Sequence, residues 1–368
     1  MSVAAAGGNT LVKTPDSSGL AATWWAQKPG GNWYWRCTVP ARRLPGQALA
    51  VRYDDLQPHA DGIWMPRQQG EAAIWCYISN ATRGIIAVAQ QEAGYRVLVE
   101  VDDNYLIGPP EVPNKHSNWE VRIRPERGGA HSIEAHRKLA GILDGVIVST
   151  EPLAQAYRQY SDHVYVCPNS IDPDDWPTPE KPQDGVFRIG YAASHSHWFD
   201  ASDVYRALSW AASQPQVEVL LYGLNPNWTF PYQHVPWTDD LDEYRRSLAW
   251  LDVGVCPLRP GAWANCKSDI KALEYCLAGA APVVSLTEPY AAWTDGLALT
   301  AATPKEFLKQ IRWLVANRDA APELAASGSA SGTPSASPPS MRARPSTPHR
   351  VRSARRRGRR RPGSTPTP

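Results

Sequence analysis

The chain has 368 residues, 43% hydrophobic and 20% charged, which excludes a chain-wide disordered or collagen-like polymer and leaves room for roughly two to three domains. Lys and Arg number 38 against 36 Asp and Glu, but ten arginines and no acid follow Ala325, so residues 1–324 hold 28 bases against 36 acids, a net −8. No apolar run approaches the ~20 residues that cross a membrane, and the start MSVAAAGGNTLVKTP has no basic stretch before an apolar core, so no membrane span and a cytoplasmic location are expected.

Residues 1–22 are rich in Gly, Ala, Ser and Thr with little periodicity and read as a flexible lead-in. Short β-rich runs then alternate with amphipathic stretches. Strands are predicted at Leu49–Tyr53, Ala73–Ile78, Arg96–Val101, Gly145–Ser149 and Val164–Cys167, with helices at Thr82–Glu92, His131–Leu143 and Glu151–Tyr160. The proline-rich segment Pro168–Asp184 can continue neither element and marks a junction. The alternation restarts with strands at Phe187–Ala192, Val217–Tyr222, Val253–Pro257 and Pro282–Leu286 and helices at Asp200–Ser213, Leu241–Leu251, Asp269–Ala278 and Lys305–Ala316. Strands alternating with helices argue for parallel sheets covered on both faces. The expected organisation is an α/β chain of two doubly wound, Rossmann-like domains over residues 23–168 and 186–324, joined by a linker over 169–185.

From Ala325 the chain is Ser, Pro, Ala, Gly and Arg, with too few apolar residues to bury a core, and a disordered basic tail is expected over 325–368. Clustered arginine suits nucleic-acid phosphates. GC-rich coding DNA read out of frame gives the same composition, and the abrupt change, with no aromatic after Trp313, favours that reading. The six cysteines form no C-x-x-C pair and have no His at zinc-finger spacing, so neither a disulfide framework nor a metal site is indicated.

The densest chemical signal is Leu251–Tyr290, which reads strand, loop, helix, tight turn, strand. Ser268 is a suitable N-cap, Asp269 suits the first turn, and Gly279 suits the helix end. At 100° per residue Ile270, Leu273 and Leu277 share a face expected to pack on the sheet, and Lys267, Lys271 and Glu274 form a stripe beside it that can face a cleft. A helix N-terminus after a parallel strand suits a diphosphate, with Lys267 as point charge, Ser268 as hydroxyl donor, and Glu274 two turns on for vicinal ribose hydroxyls. An ordinary solvated helix face with an i,i+3 Lys–Glu pair fits the same spacing.

Lys267-Ser268-Asp269-Ile270-Lys271-Ala272-Leu273-Glu274-Tyr275, followed by Gly279 and Pro282-Val283-Val284, resembles the nucleotide-sugar-binding region of GT-B glycosyltransferases of the family 4 type, in particular a bacterial and phage subgroup. Asn32–Leu44, Arg96–Leu106, Asp144–Trp176 and Phe187–Asp200 are similar to four other blocks of that group in the same order, so the likeness spans about residues 32–317. The resemblance implies the GT-B fold, with two domains facing a central cleft. It also implies transfer of a hexose from a nucleotide diphosphate sugar to an acceptor hydroxyl with retention of configuration, no cofactor beyond that co-substrate, and, for a phage-borne gene, the host cytoplasm. Cys266 stands where many family 4 enzymes carry a first glutamate. That departure keeps open a catalytically silent nucleotide-sugar-binding module, and the tail keeps open a nucleic-acid-binding protein.

Gly190, Tyr191, Ser194, His195 and His197 follow the first strand of the second domain, where small residues and polar side chains suit a phosphate; exposed loop histidines are the plain alternative. Asp102 and Asp103 close a first-domain strand and can orient or deprotonate an acceptor hydroxyl. With Asn104 they also fit a turn, or less well a metal-bound diphosphate. Arg36 suits either the acceptor side or a structural ion pair, and Trp24, Trp25, Trp33 and Trp35, among sixteen tryptophans, are candidate sugar platforms.

Overall fold

The computed structural model describes residues 10–13, 22–26, 33–43, 47–52, 58–59, 62–63, 72–76, 81–107, 133–176 and 180–332. The arginine-rich segment 342–361 lies outside them, and so does the alternative that it contacts nucleic acid. In the first domain β1 (Thr10–Lys13) and β2 (Ala22–Ala26) precede a π-helical turn, Tyr34–Thr38, that runs into α1 (Val39–Arg43). Then come β3 (Gln47–Arg52), the two-residue strands β4 (Pro58–His59) and β5 (Gly62–Ile63), β6 (Ala72–Cys76), α2 (Ala81–Glu92), β7 (Arg96–Val101), α3 (Ile133–Ile142), β8 (Gly145–Val148), α4 (Glu151–Tyr157) and β9 (Val164–Val166). The sheet order is β1-β3-β2-β6-β7-β8-β9, parallel throughout except for β1 against β3.

The second domain comprises β10 (Phe187–Ala193), α5 (Trp198–Ala212), β11 (Val217–Gly223), β12 (Gln233–Val235), α6 (Leu241–Leu248), β13 (Val253–Cys256), α7 (Ile270–Leu277), β14 (Ala281–Ser285), β15 (Leu299–Ala301), α8 (Pro304–Ala316) and α9 (Ala320–Gly332). Its parallel order, β12-β11-β10-β13-β14-β15, is the doubly wound arrangement whose strand order reverses between β10 and β13, and ligands bind such sheets at the carboxyl ends beside that switch. Strands β2, β6, β10, β13 and β14 are buried at every position, as parallel strands covered by helices on both faces must be, which is why they read as continuous apolar runs such as VGVC and APVVS.

Several expectations are corrected. The lead-in is not wholly irregular, because β1 pairs with β3 from Thr10↔Ala50 to Lys13↔Gln47. The second domain does not end at 324: α9 continues to Gly332, with Ala325 buried and Gly328 so close to Cys276 and Trp293 that a Cβ would clash. Small residues there let α9 approach α7 closely. The face of Ile270, Leu273 and Leu277 does not pack on the sheet. It packs against Tyr34, Val39 and Ile171, forming an apolar seam with the first domain and linker, while Ala272, Tyr275 and Cys276 take the sheet side. Helix α7 is apolar on two faces, so both domains claim it.

Trp24 and Trp25 are core rather than sugar platforms, Trp25 stacking on Trp75 with ring centroids 5.2 Å apart. Arg36 is the structural ion pair. The π-helical turn buries it to 2% exposure, where Nε donates to Glu100 of β7 and Nη1 donates to Cys167 O at 2.6 Å and Asn169 Oδ1 at 2.9 Å.

Candidate functional site

The loops beyond β10 and β13 meet the carboxyl edge of β7 across the seam. Lys267 Nζ lies 2.6 Å from Asp103 Oδ1 and 4.8 Å from the centroid of the Trp263 ring. Beside that ion pair, Asn104 Nδ2 donates to Cys266 Sγ at 3.4 Å and Thr150 Oγ1 to Cys266 O at 2.9 Å. Asn169 Nδ2 donates to Ser268 Oγ at 2.7 Å, completing a chain from Glu100 through Arg36 and Asn169 to Ser268. The structure therefore brings Asp103 and Lys267, named from opposite halves of the sequence, into direct contact.

Ser268 is not the helix cap. Helix α7 starts at Ile270 with Asp269 at the N-cap position, and neither side chain caps it: Ser268 is held by Asn169, and Asp269 Oδ2 accepts from Trp293 Nε1 at 2.9 Å. Tertiary partners outcompete the local bond. Gly279 does end the helix, with φ +76° and Ala280 N donating to Tyr275 O. Gly190 and Tyr191 lie inside β10 rather than in the loop after it. A Cβ on Gly190 would drive into Leu251, so this glycine serves packing.

The charges of Lys267 and Lys271 act on His197. Its Nδ1 is 2.9 Å from Asp200 Oδ2, while Asp200 Oδ1 accepts from Arg259 N at 2.8 Å. The carboxylate orients the imidazole with the proton on Nδ1, leaving Nε2 of the neutral ring as an acceptor. Burial lowers the His197 pKa and the two lysines lower it further, against the pull of Asp200. Lys271 is also lowered, by burial, against the pull of Glu274 and with a smaller push from Lys267. Ser194 Oγ lies 2.8 Å from Ser196 Oγ, and His195 is exposed. Asp200 closes the Phe187–Asp200 block but carries no role in the sequence reading, although a carboxylate three residues after a histidine at a helix start signals the pair.

The Glu274 carboxylate is not open to solvent. It is 2% exposed, Tyr244 Oη donates to its Oε2 at 3.0 Å, and burial pushes its pKa up to about 7 against the opposing pull of Lys271. Asp102, half-buried, accepts from Tyr105 Oη at 3.1 Å; burial and then the Asp103 and Glu100 charges raise its pKa to about 7, against Arg36 and Lys267. The site thus holds two lysines and a neutral histidine at the ends of β10 and β13, facing two carboxyls at the end of β7, one of them poised near neutrality.

No family model and no curated protein sequence matches the chain. Solved structures do. Sucrose-phosphate synthase from Thermosynechococcus elongatus superposes with a TM-score of 0.54 at 12% identity, covering 84% of this chain and 93% of its own. HepE from Anabaena, in complex with UDP and glucose, gives 0.52 at 13%, covering 85% and 94%. WaaG, a glycosyltransferase involved in lipopolysaccharide biosynthesis, gives 0.52 at 10%, covering 85% and 95%. At these identities the likeness establishes the fold, which is that of the GT-B class: two Rossmann-like domains of parallel sheet. Among the described residues no helix is long and apolar enough to cross a membrane.

Proposed function

We propose that the chain is a glycosyltransferase of the family 4 type, moving a sugar from a nucleotide diphosphate sugar to an acceptor hydroxyl with retention, and taking no cofactor beyond that donor. The observation that carries this reading is the meeting of Lys267 and Asp103 across the domain seam, beside the switch point of the second sheet. In this reading the diphosphate replaces Asp103 on Lys267, and Lys271 adds a second cation. Positive charge there stabilises the negative charge that builds on the departing nucleotide, the interaction that usually dominates such chemistry. In the same reading Ser194, His195 and Ser268 would supply further polar groups to the diphosphate. With its proton held on Nδ1, His197 offers Nε2 to a donor hydroxyl. The vicinal ribose hydroxyls take over Tyr244's place on Glu274, which binds them as the carboxylate. Once released from Lys267, Asp103 can orient the acceptor hydroxyl, and Asp102, with a pKa of about 7, can take its proton.

HepE is solved with UDP-glucose, so UDP-sugars are the first donors to test. The decisive experiment is a thermal-shift and transfer screen of UDP-, GDP- and ADP-sugars against wild type and Glu274→Ala. Stabilisation of the wild type alone, with nucleotide released, supports the reading. If no donor stabilises wild type more than the variant, the ribose assignment is wrong.

Cys266 favours a second reading, a silent donor-binding module. The position where a glutamate would meet the transferred sugar holds a buried thiol engaged by Asn104. Donor binding without nucleotide release in the same screen selects it.

A further inference from the structure

A cleft of about 380 Å³ opens at the linker, away from Lys267, and falls within the ~300–1,000 Å³ range of small-molecule sites. Trp33 and Tyr34 of the first domain, Asp175 of the linker, and the segment entering α6 wall it. Arg245 also lines it and is only 7% exposed. The guanidinium lies 4.5 Å over the Tyr34 ring and 5.6 Å from the Trp176 ring centroid, and Nη1 donates to Asp242 Oδ1 at 3.1 Å. Its Nη2 is buried with no hydrogen-bond partner, and so is Trp176 Nε1 beside it. Buried donors, above all charged ones, are seldom left unpaired, because their desolvation is then uncompensated. An unpaired charged donor on a residue that lines the cleft points to a ligand that supplies an acceptor.

The charge around them limits what that ligand is. Four carboxylates, of Asp175, Asp239, Asp240 and Asp242, face two guanidiniums, of Arg42 and Arg245, so the walls carry a negative excess that repels a phosphate. Asp175 is paired with Arg42, and Asp240 is spent on the backbone N–H groups of Asp242 and Glu243 that open α6. A hydroxyl-rich uncharged ring meets every requirement. Its oxygens accept from Arg245, its hydroxyls donate to the carboxylates, and its C–H face stacks on the Trp33 indole.

The geometry points to a binding site for a neutral saccharide in this cleft, distinct from the nucleotide site. Under the proposed function it receives the sugar portion of the acceptor, and that role alone rests on the glycosyltransfer reading. Because α6 also carries Tyr244, which holds Glu274, an occupant there would lie against the helix that closes the donor side.

Saturation-transfer NMR and calorimetry with glucose, mannose, galactose, N-acetylglucosamine, maltose and cellobiose test the site, with glucose 6-phosphate as the charged comparison. At least one neutral sugar is expected to bind wild type, and the loss of one charged hydrogen bond or one stacking face should weaken it about tenfold in Arg245→Gln and in Trp33→Ala. Trp33→Ala should melt below wild type, because Trp33 also packs on the core around Trp24 and Cys37, yet below that melting temperature it should bind UDP within about twofold of wild type. Three results each overturn the proposal: no neutral sugar binds wild type; both variants bind as wild type does; or UDP or glucose 6-phosphate competes as strongly as the neutral sugar. Failure of every nucleotide sugar to bind would remove the glycosyltransfer reading while leaving the saccharide measurement intact.

Discussion

Replacing Asp103 by asparagine separates ground-state binding from turnover. Asp103 and Lys267 are 2.6 Å apart, with their side chains 22% and 15% exposed. Fully exposed pairs contribute ~0.2–1 kcal/mol and breaking a buried one costs ~3–5, so a pair at this depth is worth about 1–2 kcal/mol. A diphosphate has to displace that carboxylate and then sit beside its charge, so the pair opposes donor binding in the wild type. Asp103→Asn keeps the shape and removes the charge, and UDP should bind roughly 5–30-fold more tightly. If Asp103 also orients the acceptor, kcat for transfer falls although Kd improves. Isothermal titration at about 50 and 500 mM salt provides the control, because screening should shrink the gap between wild type and variant. Equal or weaker UDP binding by the variant at low salt would refute the claim that a phosphate competes with Asp103 for Lys267.

The remaining predictions concern stability and pH. Glu274, with a folded pKa of about 7 against 4.5 for the unfolded chain, holds its proton in the native state while the unfolded state has lost it, so its contribution to stability falls as pH rises from about 4.5 to 7, by about 3 kcal/mol. Urea melts of Glu274→Gln at pH 5 and 8 should therefore show the variant gaining on wild type at the higher pH, and the wild type's UDP affinity should rise through pH 7 as the carboxylate forms; a difference that does not change with pH would refute the burial argument. Arg36→Met strands the Glu100 carboxylate and frees Asn169 from its tether, and should cost about 3–5 kcal/mol by urea denaturation. A loss under about 1 kcal/mol would mean that the pair is solvated. Gly190→Ala should lose about 1–3 kcal/mol, with part regained by Leu251→Val in the same chain, and a stable Gly190→Ala protein with weakened UDP binding would return this glycine to the ligand site.

The long alternating elements were legible because their signals are internal to each segment. Arg96–Val101 and the helix beginning at Glu151 stand where periodicity places them. The elements that escaped detection lack such a signal. β1 and β12 are four and three residues long, β2 reads ATWWA, an apolar run too short for periodicity to assign, and α9 is built mostly of Ala, Ser and Gly and depends for its place on close approach to Cys276. At the site, the Lys267, Lys271 and Glu274 stripe follows from helix spacing, but the burial of Glu274 beneath Tyr244 could not, because α6 reaches α7 only through the fold.

By its own pattern of apolar runs, turns and charges, the chain declares two doubly wound halves, a junction near Pro168, and a helix carrying two lysines and a glutamate after a buried strand. The tertiary structure alone decides that Asp103 meets Lys267, that Asn169 takes the hydroxyl of Ser268 from the helix end, and that Ile270, Leu273 and Leu277 seal the two domains together. The division has a physical basis. Periodicity records which residues share a face of one element, whereas the partner of a charge and the depth of a carboxyl depend on which remote face is packed against it.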